Sequence, residues 1–148
     1  LADGAVITPF VMPASGSFTL PAPHSLVTIG VGFTAQLQTL AIDLGEPTVQ
    51  GKRKKITAVT VRCANTLGLQ IGGDATALVL MKDLQFGNVG SATNTAVTGL
   101  VTADARTIID PRWSVPGQYF IQQSQPYPAS VLGVIPEITV GDTTERRG

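Results

Sequence analysis

Apolar and polar residues alternate in short stretches along this chain, and glycine or proline separates most stretches from the next. The clearest stretch is 56–63, where β-branched residues alternate with others as they do in a half-buried strand. Further strands are predicted at 6–11, 17–20, 26–33, 35–42, 67–71, 99–101, 105–109, 119–122 and 131–140, while 77–81 fits a strand or a helix. No segment has the pattern of an amphipathic helix. About ten short strands with turn residues between them predict an all-β fold, an antiparallel sandwich or barrel.

Glycines add expectations about the backbone. Gly30 and Gly32 fall on one face of the predicted strand 26–33, a spacing typical of a bend or a close backbone approach. Gly72-Gly73-Asp74 is a turn signal. The small and polar stretch 87–98 is expected to be a mobile loop.

The length of 148 residues fits one β domain, which we place at 1–142, with a disordered polar tail at 143–148. The chain begins without methionine and without the basic and apolar regions of a signal peptide. We therefore expect it to be the C-terminal portion of a longer protein. No apolar run approaches the ~18 residues of a membrane helix, so no membrane span is expected.

Charge is scarce in this chain. Charged residues make up 14% of the sequence, against about 25% in ordinary soluble domains. The formal net charge is zero, so no overall field favours nucleic acid or an anionic membrane. Because the cores of subunit interfaces are depleted in charge, the shortfall favours a homo-oligomer in which part of the surface is covered.

The positive charge that is present concentrates in one run, Lys52, Arg53, Lys54 and Lys55. Gly51 predicts a turn before this run, and the predicted strand 56–63 follows it, so the run lies where a loop meets a sheet. Three interpretations remain open: a solvated loop, a contact with acidic protein partners, or a contact with phosphates.

Candidate catalytic groups are few. His24 precedes Ser25, but neighbouring residues in a strand point to opposite faces, and no Gly-x-Ser-x-Gly motif is present. The aspartates stand singly beside turn formers, where this residue usually caps turns. We expect no enzyme activity, no cofactor and no metal site. Cys63, the single cysteine, cannot form an intrachain disulfide and is expected to be a buried, inert thiol.

Aromatic residues offer a second candidate for binding. Trp113, between Pro111 and Pro116, suits a hydrophobic plug under a loop or a stacking platform for a sugar or base. Tyr119, Phe120 and Tyr127 surround the glutamine-rich stretch 122–125, a combination that fits a carbohydrate groove or a wet subunit interface.

Several segments together resemble a known family. They are VTIGVGFTA (27–35) with LQTL (37–40), GKRKKITAVTVR (51–62) with TLGLQIG (66–72), IID (108–110) and ASVLGVIPEITVGD (129–142). In this order they resemble the C-terminal part of the tail nozzle proteins of short-tailed bacteriophages, also called tail tubular proteins. The resemblance runs from about residue 25 to 142, and the stretch 87–98 departs from it.

The resemblance implies a virion structural protein located in the phage tail. Such nozzles are hexameric rings below the tail adaptor, with tail fibres near their upper rim and a central channel through which DNA is ejected. It implies that the chain is a β domain of this ring, in transient contact with passing DNA but in no stable nucleic-acid complex. Residues 52–55 would then pair with acidic residues of a neighbouring subunit or fibre, the role we favour, or line the channel.

Two other classes compete with this interpretation. One is a carbohydrate- or receptor-binding β module of an adhesin, in which aromatic residues would cluster on one loop face. The other is a nucleic-acid-binding barrel, which would rest on residues 52–55 and the few aromatics and would hold single strands with steep salt dependence.

Overall fold

The structure, a computed structural model, describes residues 1–7, 13–45, 48–81 and 99–141. These residues contain eight strands and no helix, so the protein is all-β as predicted. The strands are β1 (Ala35–Gln38), β2 (Lys54–Thr66), β3 (Leu69–Gly72), β4 (Val79–Leu80), β5 (Val101–Ile108), β6 (Trp113–Ser114), β7 (Phe120–Gln123) and β8 (Ser130–Val140).

Four strands form sheet 1, in the order β1-β7-β3-β4 and antiparallel throughout. Partners opposite each other across a ladder point to the same face. Leu37 is paired with Ile121, which is paired with Ile71, so these three side chains belong to the inner face. The residues before and after them point outward.

Sheet 2 is built around β2, the longest strand at 13 residues. β8 pairs with β2 from Lys54 to Ala64 along one side. On the other side, β5 pairs with β2 from Ala58 to Thr66, and β6 pairs with Lys54 and Lys55. One face of β2 covers the core and the other faces outward, which accounts for the strong alternation along 56–63.

Two bulges set which side chains face that core. Ile56 is paired with Ile138 and Ala58 with Glu137, so Thr57 is an extra residue on β2. The extra residue reverses the alternation. Lys54 and Ile56 point inward before it, whereas Val59, Val61 and Cys63 point inward after it. A second irregularity leaves Leu132 as the extra residue on β8.

The chain crosses from sheet 2 to sheet 1 between β2 and β3. Gly68 sits at this crossing with φ +75°, and a Cβ there would lie 3.0 Å from the Tyr127 ring. Both sheets contribute to one core, which comprises Ile56, Val59, Val61, Cys63, Leu69, Ile71, Met81, Ala105, Ile109, Tyr119 and Ile121. Cys63 is buried and free, which confirms the expectation of a buried thiol.

Several strand predictions are confirmed with adjusted bounds. The strand predicted at 56–63 is β2, that at 67–71 is β3, that at 119–122 is β7 and that at 131–140 is β8. The strands predicted at 99–101 and 105–109 correspond to one strand, β5 (Val101–Ile108), and 77–81 contains the short strand β4. β6 was not predicted. The turn at Gly72–Asp74 is present: the Asp74 carboxylate accepts hydrogen bonds from the N–H and hydroxyl of Thr76.

Other predictions are wrong. Residues 17–20 and 26–33 form no strand, apart from an isolated bridge at Val27, and only Ala35–Gln38 of 35–42 is a strand. A ladder needs a neighbouring strand, and the described residues supply none for 26–33. Residues 8–11 of the predicted strand 6–11, the loop 87–98 and the tail 143–148 lie outside the described residues.

Candidate interaction site

The basic run begins at a tight turn. The Lys52 N–H donates to the Val49 carbonyl over 3.2 Å, which closes a four-residue turn. Gly51 has φ +79° at its third position, the value that a type II turn requires there. The turn delivers the chain directly into β2, so the basic side chains follow the alternation of that strand.

Lys54 is consequently inside the protein. It is 1% exposed and points to the same side as Ile56. Its Nζ donates to the Val115 carbonyl at 2.8 Å and to the Lys52 carbonyl at 3.5 Å. The aliphatic stem lies against Gly117, where a Cβ would be 2.7 Å from Lys54 Cδ. The side chain thus fixes the turn after β6 to the start of β2.

The four basic residues therefore do not form a single surface. Arg53 is exposed, Lys52 and Lys55 are half-buried, and Lys54 is directed into the fold. Among the described residues, no carboxylate pairs with Lys52, Arg53 or Lys55. These three are the ones available to a partner at this loop.

Trp113 lies beside this loop. It is paired with Lys55 across the β2–β6 ladder and so shares the outer face of sheet 2. Its ring lies against Gly141, where a Cβ would be 3.1 Å from Trp113 Cζ3. The Gly141 N–H donates to the Arg53 carbonyl at 2.8 Å. One part of the ring is thus packed on backbone, and about half of the residue remains exposed.

Charges elsewhere on the outer face of sheet 2 are paired. Arg62 donates two hydrogen bonds of 2.8 Å to Asp104, its partner across the β2–β5 ladder. Arg106 on β5 reaches over β2 to Glu137 on β8, with hydrogen bonds of 2.5 and 2.7 Å. Ala58 lies on β2 beside this second pair and is fully buried, because its small side chain leaves room for the pair above it.

These pairs shift the ionisation of their members. Hydrogen bonds from Arg62, more than its charge, lower the pKa of Asp104, and Arg106 lowers the pKa of Glu137 in the same way. The carboxylates in turn raise the pKa of Arg62 and of Arg106. At neutral pH all four groups are ionised and paired, so this face carries little free charge.

A second face has no charge at all. We call residues 25–42 the apolar ribbon, because this stretch contains no Asp, Glu, Lys or Arg. It runs along the surface before and through β1, and Val31 and Leu40 are each 88% exposed. Its exposed large apolar residues are Leu26, Val27, Ile29, Val31, Phe33, Leu37 and Leu40.

The ribbon is attached through backbone contacts. A Cβ on Gly30 would lie 2.8 Å from Pro126 Cβ, and one on Gly32 would lie 3.2 Å from the Ser124 carbonyl oxygen. The predicted close backbone approach at these glycines is confirmed, although no strand forms there. The glycines let the ribbon lie against the loop after β7 while its larger side chains face away from it.

An amide ladder crosses the outer face of sheet 1. Gln36 Nε2 donates to Gln122 Oε1 at 2.7 Å, and Gln122 Nε2 donates to Gln70 Oε1 at 3.2 Å. Phe120, partner of Gln38 and of Gly72, lies on the same face. Phe120 and the amides of the glutamine-rich stretch are therefore partly brought together, on the outer face of sheet 1.

His24 takes part in a local clamp. The Asp3 carboxylate accepts the N–H groups of Leu26 at 2.8 Å and Ser25 at 3.2 Å, and lies 3.2 Å from His24 Nδ1. The N–H of Leu26 contributes most to lowering the pKa of Asp3, followed by that of Ser25. His24 therefore belongs to a contact that ties the N-terminal residues to the start of the ribbon.

Within the described ranges, no group of three or more His, Cys, Asp or Glu residues is placed to hold a metal ion. The same residues contain no helix long and apolar enough to cross a membrane. The sequence matches no protein-family model and no curated protein.

The sequence pattern did not predict two features of the protein surface, the apolar ribbon and the arginine–carboxylate pairs of sheet 2. The apolar ribbon was assigned to strands, although the absence of charge over 25–42 was a readable signal of a surface to be covered. The two arginine–carboxylate pairs join residues 31 and 42 positions apart, and no local pattern reveals such a pairing.

Proposed function

We propose that this chain is a virion structural protein, a β domain of a bacteriophage tail nozzle ring that forms the conduit for DNA ejection. The resemblance of four ordered segments to tail nozzle proteins supports this proposal. Its setting would be a hexameric ring in the tail, between the tail adaptor and the tail fibres, and the domain would have no catalytic task.

The observation that carries the proposal is the exposed and charge-free apolar ribbon. Soluble monomers rarely expose long contiguous apolar surfaces, and larger ones mark contacts with other molecules. A ring subunit covers two unlike faces against its neighbours. In this proposal, the ribbon and the charge-paired outer face of sheet 2 would be those two faces.

The basic loop has a place in the same proposal. Lys52, Arg53 and Lys55 have no carboxylate partner among the described residues, so acidic groups of a neighbouring subunit or fibre would pair with them. If the loop instead faced the channel, these three basic residues of each of the six subunits would contact the phosphates of passing DNA. We favour the protein contact, because a conduit that held phosphates tightly would slow ejection.

Negative-stain electron microscopy of the longer protein that would contain this domain tests the proposal. Sixfold rings with a central channel are expected. Discrete monomers or trimers, with no ring at any protein concentration, would contradict it.

The amide ladder favours one second candidate, a carbohydrate-binding module of an adhesin. Glutamine amides beside Phe120 on this face can donate and accept hydrogen bonds with sugar hydroxyls, and the ring can stack on a pyranose face. Glycan-array binding by the isolated chain, abolished by Gln122→Ala and retained in a Gln50→Ala control, would favour this candidate. Gln50 bonds to Asp43 instead, away from the ladder.

A further inference from the structure

The apolar ribbon includes an uncovered continuation of the protein core. Leu37 lies on the inner face of sheet 1, in register with the buried Ile121 and Ile71. It is nevertheless 56% exposed. The inner face thus extends past the packed core to the β1 edge, where no described residue covers it.

The backbone at this edge is also open. Within the described residues β1 pairs only with β7, so one side of β1 has free N–H and C=O groups. Natural edge strands are usually protected by charge, proline or a bulge. Residues 35–42 contain neither a charge nor a proline. An edge left unprotected and flanked by exposed apolar residues leaves this side of β1 open to contact with another chain.

A complementary face lies on the same molecule. On sheet 2, Ile108, Ile135 and the bulged Leu132 are all more than half exposed. The charges among them, Arg106 and Glu137, neutralise each other. Covering a charged surface is most costly when a charge is buried without a partner. Because these two charges are already paired, an apolar partner placed here would bury no unpaired charge.

The difference between the ribbon and the outer face of sheet 2 indicates which molecule would bind the ribbon. A charged partner would lose solvation against the ribbon and gain no ion pair. A symmetric ribbon-to-ribbon dimer would leave the face of Ile108 and Ile135 open. Contact between the ribbon of one copy and this face of the next copy covers both at once, and its repetition builds a ring or a filament.

We infer that the apolar ribbon of one copy of this chain binds the outer face of sheet 2 of a second copy, at Ile108 and Ile135, in a head-to-tail contact. This inference deepens the proposed function and rests on it for the closed ring, since it names the two faces that the subunits join.

The size of the contact is adequate. Covering a leucine-sized side chain removes on the order of 100 Å² from water. The exposed large apolar residues of the ribbon together offer on the order of 500 Å², a large part of the ~800 Å² that each partner contributes to a standard interface.

Cysteine cross-linking tests the direction of the contact. Leu40→Cys places a thiol on the ribbon, and Ile135→Cys places one on the outer face of sheet 2. Both positions are exposed, so the folded monomer tolerates them, and native Cys63 is buried away from reagent. With a short bis-maleimide, a mixture of the two variants should yield cross-linked dimers, whereas each variant alone should not. A chain carrying both thiols should give a ladder of higher oligomers.

Sedimentation velocity of the unmodified chain against concentration gives the strength of the association. Leu40→Asp should weaken it by roughly 10-fold or more, because a carboxylate would be buried without a partner. Leu80→Asp is the matched control, since Leu80 is an exposed leucine of β4 outside both faces. It should leave the association unchanged.

Several outcomes would overturn the inference: a chain that stays monomeric at every concentration, cross-links within a single-thiol variant, or equal effects of Leu40→Asp and Leu80→Asp. The proposed function can fail separately. Sixfold rings of the longer protein without mixed-variant cross-links would leave the nozzle proposal standing and reject this contact. Mixed-variant cross-links without any ring would support this contact and reject the nozzle proposal.

Discussion

At the scale of single residues, Lys54 shows how strand alternation overrides charge. Its ammonium group is held by two backbone carbonyls, and Gly117 gives its stem a place to lie. Long basic side chains commonly bury their methylene groups while the charged end finds polar partners. A run of four basic residues is thereby divided between the inside of the fold and its surface.

Gly117→Ala should lower the free energy of unfolding by about 3 kcal/mol. The residue has φ +58°, which is strained for alanine, and the added methyl would lie 2.7 Å from Lys54 Cδ. Gly16→Ala is the control, because Gly16 has φ +71° and nothing within 4 Å of an added Cβ. It should cost only about 1 kcal/mol, the strain alone. Urea denaturation measures both; equal losses would show that the contact with Lys54 is unimportant.

Some residue positions were predictable and others were not. The burial of Lys54 could not be read from the sequence, because the extra residue Thr57 reverses the alternation between Ile56 and Val59. The close approach at Gly30 and Gly32 was predicted correctly. The full burial of Ala58 on an outer face could not be predicted, because it depends on a pair formed by two other strands.

At the scale of elements, Arg106 and Glu137 connect the two strands that flank β2. Bidentate arginine–carboxylate pairs have well-defined geometry, and this one spans the width of sheet 2. Arg62 and Asp104 connect β2 with β5 in the same manner. The three long strands are thus joined by side chains as well as by their backbone ladders.

Acid should destabilise the protein partly through these pairs. The folded-state pKa values of Asp104 and Glu137 are lowered, whereas unfolded carboxyls titrate near ~4. The unfolded state therefore binds more protons in this range. The contribution is complete above about pH 5 and is lost as the pH falls through the lowered folded values.

Thermal unfolding midpoints followed from neutral to acidic pH measure this effect. The double variant Asp104→Asn with Glu137→Gln cannot take up protons at these sites when it unfolds, so its midpoint should fall less steeply below about pH 4 than that of the unmodified chain. Parallel curves for the two proteins would show that other carboxylates, such as Asp3 or Asp43, govern acid unfolding.

The success of element prediction depended on pairing. β2 and β8 pair with neighbouring strands and cover the core, and their alternation gave their positions to within three residues. Residues 26–33 have equally β-like composition, yet form no ladder, because ladders require a second strand that the sequence pattern does not specify. The extra Thr57 on β2 was also missed, since a bulge is set by register with β8.

At the scale of the whole molecule, apolar and charged contacts are segregated. The ribbon carries no charge, the outer face of sheet 2 carries paired charges, and the basic loop carries unpaired ones. Composition correctly indicated scarce charge. It could not indicate where the uncharged surface lies, and the division of residues 52–55 between inside and outside required the three-dimensional fold.

Salt should separate the contributions of these contacts to the self-association inferred above. Association through the ribbon is expected to persist or strengthen when the salt concentration rises roughly tenfold, because apolar contacts are not screened. Contacts through Arg53 and Lys55 should weaken, and Arg53→Gln with Lys55→Gln should remove that salt dependence. Lys54→Met is the control, since Lys54 is buried. Sedimentation velocity at low and high salt measures the association of the unmodified chain and of each variant. Dissociation of the unmodified chain at high salt would show that charged contacts, and not the ribbon, dominate the association.

The pairing of β2 with β8 also determines how the protein would carry mechanical load. Lys54 is opposite Val140, so the chain enters β2 and leaves β8 at the same end of the ladder. Hydrogen bonds between antiparallel strands lie perpendicular to the strands. Tension between the segments before β2 and after β8 would therefore break these bonds one at a time, as in unzipping. The bond from the Gly141 N–H to the Arg53 carbonyl, with the Trp113 ring against it, would bear the force first.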